Sequence, residues 1–214
     1  MSGAALAVLY EDEDVIVVDK PSGRIVHPAP GHADGALSSE LVARYPEMAS
    51  VGSAERPGVV HRLDIETSGV MVFARTRRAY LALRRAFESH CGVVKKYLAV
   101  VHGVPREKSG TVATPVGGRR AVSHWTLLRR SVGVSMLEFE IETGRTHQIR
   151  IHAASMGHPV VGDAIYGDAA KDRSLQRRPG RLLLHAVELA FPHPATGRTM
   201  VFASPPPPEI LAPR

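Results

Sequence analysis

A run of polar and ionisable side chains, His61-Arg62-Leu63-Asp64-Ile65-Glu66-Thr67-Ser68-Gly69, separates two apolar runs, Val59–Val60 and Val70–Ala74. Arg62 and Asp64 flank Leu63, so in an extended chain they point to one face. Taken alone they read as a surface loop with a local ion pair, which is worth little. Two further segments carry ionisable groups in apolar surroundings: Tyr97 within KKYLAVVH, and Arg145–His152. A carboxylate can act as a nucleophile or move a proton, and a guanidinium beside one favours its ionised form. His61, Asp64, His147 and His152 are also of metal-ligand type, which opens a metal-dependent hydrolase as one alternative. That set is poorly spaced, because His147 and His152 are five apart and off a single helical face, and no His-Glu-x-x-His run occurs. No metal site is expected.

The elements that must position these groups follow from pattern. Val15–Val18 is a β-branched run ending in the Lys20-Pro21-Ser22-Gly23 turn, so it reads as a strand. Residues 24–30 run into a Pro-Gly-rich loop. Leu37, Leu41 and Tyr45 stand four apart and predict a short helix over Ala36–Tyr45, stopped by Pro46. Apolar strands are expected on both sides of the Asp64 loop. Tyr80, Leu83 and Phe87 predict a helix over Arg77–His90, with Arg77, Arg78, Arg84 and Arg85 elsewhere on it. Lys95–His102 reads as a strand with Tyr97, Ala99 and Val101 on one face. Pro105–Arg120 reads as a loop with a brief strand near Thr111–Val112. His124–Leu128 and Met136–Ile141 read as a strand pair around Ser131-Val132-Gly133. Ile149, Ala153 and Met156 predict a helix that Thr146 would cap and that Gly157 and Pro159 would end. Ala169–Gly180 is polar, basic and without period, so no element is expected there. Arg181–Phe191 and Thr199–Phe202 read as strands, and Pro205–Pro208 as an extended terminator. Strands outnumber helices and are joined by short turns, which points to an α+β fold.

The chain has 214 residues, a formal net charge of +6 and 22 Arg against 5 Lys. An acidic partner is expected, and Arg suits bidentate phosphate contact. The single cysteine, Cys91, excludes an intrachain disulfide and a Cys-based zinc site. The N-terminal MSGAALAVLYEDED lacks a basic leader, and no apolar stretch approaches spanning length. A cytoplasmic protein with no membrane partner is expected. A noncatalytic RNA-binding module is the other alternative. It would share the basic charge but would not need Asp64 in an apolar frame, and aromatics at 5% are few for base stacking.

Six stretches occur in one order: KPSG, HRLDIETSG, KKYLAVVHG, TGRTHQIRIH, GHPVVGDAIYGD and RLLLHA. Together they resemble the RluA-type family of RNA pseudouridine synthases, from roughly Tyr10 to Ala203. The resemblance implies a single catalytic domain over 1–214, core about 10–203, with no N-terminal accessory RNA-binding domain. It implies a central, mostly antiparallel mixed sheet with flanking helices and loops and a catalytic cleft. The connection over Pro105–Arg120 is shorter than is common in the family. By position, Asp64 matches the catalytic aspartate, Tyr97 the active-site tyrosine and Arg150 the arginine that pairs with the aspartate. Arg62 matches an arginine that contacts the displaced RNA helix, and Arg145, His147 and Gln148 fall in the motif of Arg150 as RNA-binding residues. RLLLHA matches a segment packed beneath the cleft. The implied reaction turns specific uridines of ribosomal or transfer RNA into pseudouridine, with the base flipped out of its stack and no cofactor. The carboxylate could attack the ribose, stabilise a positive sugar or move a proton. The implied partner is RNA, and the chain is expected to act as a monomer. An Asp64 enclosed by Leu63, Ile65 and Val70–Ala74 would be desolvated, and Arg150 would hold its charge.

Overall fold

Four consecutive β-branched residues, Val15 to Val18, are all fully buried, as a strand covered on both faces requires. In a computed structural model of the chain, residues 6–28, 35–175 and 179–211 are described. Part of the Pro-Gly-rich loop and the first residues of the N-terminus lie outside that range. The described chain divides into two compact units, Met1–Val93 with Glu188–Ser204, and Val94–Val187 with Pro205–Arg214.

In the first unit, β1 (Ala7–Glu11), β2 (Val15–Lys20) and β5 (Ser68–Ala74) form an antiparallel ladder in the order β1-β2-β5. Helix α1 is Leu37–Arg44, and a 3₁₀ turn follows at Pro46–Ser50. The apolar strand expected before the Asp64 loop is reduced to a two-residue pair, β3 (Gly52–Ser53) with β4 (Arg56–Pro57), and a single bridge from Val59 to Phe73. Pro57 and Gly58 explain this, since a proline gives no ladder donor and Gly58 turns the chain at φ +70°. Helix α2 (Arg77–Ser89) is capped by Thr76, whose Oγ1 accepts from Ala79 N at 3.1 Å. It buries Ala79 and Leu83, while Arg77, Arg78, Arg84 and Arg85 are exposed.

In the second unit, β6 (Val94–His102), β7 (Ser109–Val112), β8 (Ser123–Arg130) and β9 (Val134–Ile141) pair antiparallel in the order β6-β9-β8-β7, with Tyr97 opposite Phe139. The β8–β9 turn falls at Ser131-Val132-Gly133, as expected. Helix α3 spans Gln148–Ser155. Ala169–Ser174 forms a short helix, α4, where none was expected. The reason is local: Asp168 Oδ1 accepts from the N–H groups of Ala170 and Lys171, each at 3.0 Å, and this cap offsets the lack of apolar period. Residues 176–178 of the same polar segment lie outside the described range. Strand β10 (Leu184–Pro192) begins three residues later than Arg181 and continues into the first unit, where Glu188–Pro192 pairs antiparallel with β11 (Thr199–Ala203). The expected extended tail is shorter than Pro205–Pro208, because Pro208 opens a last turn, α5 (Pro208–Leu211). Ile210 from that turn packs with Leu98, Val100, Val134, Val161 and Leu183, so RLLLHA contributes core as expected. The fold is α+β with mostly antiparallel strands.

Candidate active site

In the first unit the Asp64 loop is tied down from behind. Lys20 ends β2 and is fully buried. Its ammonium donates to the carbonyls of Ile65 at 2.8 Å and Pro21 at 3.0 Å. Ser22 donates to the Glu66 carbonyl at 2.6 Å, and Gly23 N–H to the Ile65 carbonyl at 2.8 Å. The KPSG turn therefore grips the two residues that follow Asp64. Thr67 N–H returns to the Asp64 carbonyl at 3.2 Å, which closes the turn before β5. His61, at the loop entrance, accepts from Val72 N–H at 3.1 Å and stacks on Phe87 of α2, ring centres 4.5 Å apart. Leu63 is buried, Asp64 partly buried, and Arg62 exposed. The enclosure expected of Asp64 is incomplete, because Ile65 turns outward at 39% exposure.

In the second unit Arg145, His147, Gln148 and Arg150 come together on one turn and the first helical turn of α3. Thr146 is exposed and does not cap the helix. His147 takes that place with a left-handed backbone, φ 57°, and without a side-chain cap bond. The turn is held instead by Gln148, which is 3% exposed. Its Oε1 accepts from Thr143 Oγ1 at 2.7 Å and Arg145 N at 3.1 Å, and its Nε2 donates to Val122 O at 2.9 Å and Ser123 Oγ at 3.0 Å. Both ends of the amide are thus engaged within the fold.

Arg150 is buried and makes two bonds to Asp163, Nε to Oδ2 at 2.7 Å and Nη2 to Oδ1 at 2.6 Å. Asp163 also accepts from the N–H groups of Ile165 at 2.9 Å and Tyr166 at 3.0 Å. Burial pushes the Asp163 carboxyl up, but the Arg150 bond and those two N–H groups outweigh it and hold it below its ordinary value. The loop that carries Asp163 is tight. A side chain at Gly162 would stand 2.1 Å from the Arg181 carbonyl, and one at Gly167 2.1 Å from that of Asp163. Tyr166 lies beneath the Arg150 guanidinium, 5.3 Å from ring centre, and its hydroxyl is 3.2 Å from His147 Nδ1. Asp163 and Tyr166 are not among the candidates read from the sequence, because GHPVVGDAIYG by itself reads as a turn-rich connection. The signal was an acid between two glycines, close to an aromatic. Tyr97 is 8% exposed on β6, and two residues before it Lys95 is 7% exposed.

Residues 14–155 match the RNA pseudouridylate synthase family. The chain belongs to that family. It is 42% identical to an uncharacterized RNA pseudouridine synthase of Synechocystis sp., over 94% of this chain and 66% of that protein. It is 40% identical to the ribosomal large subunit pseudouridine synthase D of Pseudomonas aeruginosa, over 96% of this chain and 70% of the relative. The chain thus spans about two thirds of the length of these curated relatives. Human RNA pseudouridylate synthase domain containing 1 has the same fold, with TM-score 0.74 and 27% identity over 96% of this chain and 86% of that one. The synthase family match spans Lys20, Asp64, Tyr97 and Arg150 and stops before Asp163, the carboxylate that Arg150 grips. Among the described residues no helix is long and apolar enough to cross a membrane.

Proposed function

We propose that the chain isomerises specific uridines of RNA to pseudouridine, with ribosomal RNA the first substrate to try and transfer RNA the second. The observation that carries this is Asp64 on a loop gripped by Lys20 and Ser22, in a chain 40% identical to a ribosomal large subunit synthase. The reaction breaks the bond from ribose C1′ to uracil N1, forms one from C1′ to C5, moves the C5 proton off and returns a proton to N1. Nothing is added or lost, so no cofactor is called for. An anion at C1′, as nucleophile or as counter-charge to a positive sugar, is what the bond cleavage needs. Asp64 is that anion. Arg150 acts with it in the same step, and Tyr97 takes part in the C5 proton transfer. The base reaches them flipped from its stack. Exposed Arg62, with Arg145 and His147, holds the RNA around the vacated position, and Gln148 keeps their turn in shape. The chain works as one catalytic domain, a monomer, in the cytoplasm.

Incubation of the protein with unmodified ribosomal and transfer RNA, followed by mapping of pseudouridine, tests the proposal. Product should form with a chelator present, at a magnesium level that keeps the RNA folded. Asp64→Asn should fold, bind RNA and form none. Pseudouridine from the Asp64→Asn protein would end the proposed mechanism. Binding without product in the unsubstituted protein, on either RNA, would favour a noncatalytic module.

A further inference from the structure

Lys95 is more than nine-tenths buried, yet among the described residues no carboxylate or hydrogen-bond acceptor meets its ammonium. The charge that acts on it is of the same sign, the Arg145 guanidinium. Burial, and then that guanidinium, push the Lys95 ammonium down to about 8. Arg145 is itself anchored through Nε to the Arg120 carbonyl at 3.1 Å, which leaves its Nη groups without a protein acceptor among the described residues. Glu142, the acid nearest in sequence, is engaged by Arg120 and His124.

Two cations held together with no anion between them are costly, and the cost is removed when an anion arrives. Access is provided for. Gly144 is exposed, and a side chain there would begin 3.9 Å from Lys95 Nζ. Lys95 stands two residues from Tyr97 on β6, so the two share a face of the strand. A free carboxylate would also satisfy the pair, but the turn that carries Arg145 is the one the proposed function gives to RNA, so the anion at hand is a backbone phosphate. We propose that Lys95 and Arg145 form a phosphate subsite for the RNA chain beside the target nucleotide. This rests on the function proposed above.

The probe is a uridine-rich oligoribonucleotide, its affinity measured across a range of salt. Lys95→Met should bind roughly ten-fold more weakly at about 0.1 M salt, and the slope of log K against log salt should fall by about one. Lys95→Arg should restore both. Lys95→Gln serves in the same way should the methionine variant not fold. A single neutral methylphosphonate, walked along the oligonucleotide, should reproduce the loss at one position in the unsubstituted protein and add nothing in Lys95→Gln. Equal affinity and equal slope for Lys95→Gln, or no position sensitive to neutralisation, overturns the subsite. The two readings separate cleanly. RNA binding that depends on Lys95 without any pseudouridine sinks the activity and keeps the subsite, while full activity and binding in Lys95→Met sinks only the subsite.

Discussion

The Arg150 guanidinium closes on the Asp163 carboxylate with two bonds of 2.7 and 2.6 Å, both side chains being almost wholly buried. The arginine that the resemblance pairs with Asp64 therefore carries a carboxylate of its own, which fixes the plane of its guanidinium. Removing either partner takes a two-bond ionic contact from a buried charge. Asp163→Asn or Arg150→Ala should each lose about 3–5 kcal/mol in urea unfolding. The double variant Arg150→Ala/Asp163→Asn should lose clearly less than the sum of the two single changes. Additive losses would show the pair to be energetically idle. On the acid side, Asp163 has a folded pKa below the ordinary value of 3.8, so its contribution is present above that value and fades as pH falls through the folded pKa.

Lys20 offers a test of positioning without contact to the reacting atoms. Lys20→Met keeps the buried stem but leaves the Ile65 and Pro21 carbonyls short of a charged donor. A loss of about 1.5–3 kcal/mol is expected. If the grip on the loop matters to Asp64, kcat should fall while KM for RNA barely changes. A KM effect with unchanged kcat would place Lys20 in binding instead.

His147 holds a left-handed backbone at the head of α3, a conformation that costs a non-glycine residue about 1 kcal/mol. His147→Gly removes that strain and the ring contact with Tyr166 together. Thermal melting should show stability unchanged or slightly raised, whereas RNA turnover should drop. Normal turnover would mean the imidazole has no part in the site.

Lys95 gives a pH signature. Its folded pKa of about 8 lies below the ordinary 10.5, so between those values the unfolded chain binds more protons than the folded one. Stability therefore carries a penalty below about pH 8 that is relieved as pH rises towards 10.5. The shift amounts to about 3 kcal/mol. Lys95→Met should be more stable than the unsubstituted protein at pH 7, by up to that amount, and the gap should narrow in urea titrations above pH 8. A less stable methionine variant at pH 7 would contradict the uncompensated charge.

What the sequence determined by itself was the set of elements with strong local pattern. β2 follows from four β-branched residues, α1 from leucines at helical spacing with Pro46 as its stop, α2 from its apolar face, and the β8–β9 hairpin from its glycine turn. The six ordered motifs likewise carried the family. Tertiary structure decided what depends on partners distant in the chain. Nothing in KPSG says that Lys20 will be buried against Ile65, because the two stand 45 positions apart and nothing local signals the contact. Thr146 has the chemistry of a cap, yet Gln148 holds the turn, since Val122 and Ser123 of a neighbouring segment supply its other two bonds. Asp163 looked like a turn residue and became the partner of Arg150, because the glycines on either side let the loop fold where no side chain fits. Local propensity is summed over neighbours in sequence, whereas the worth of a buried charge is set by whatever the fold brings to face it.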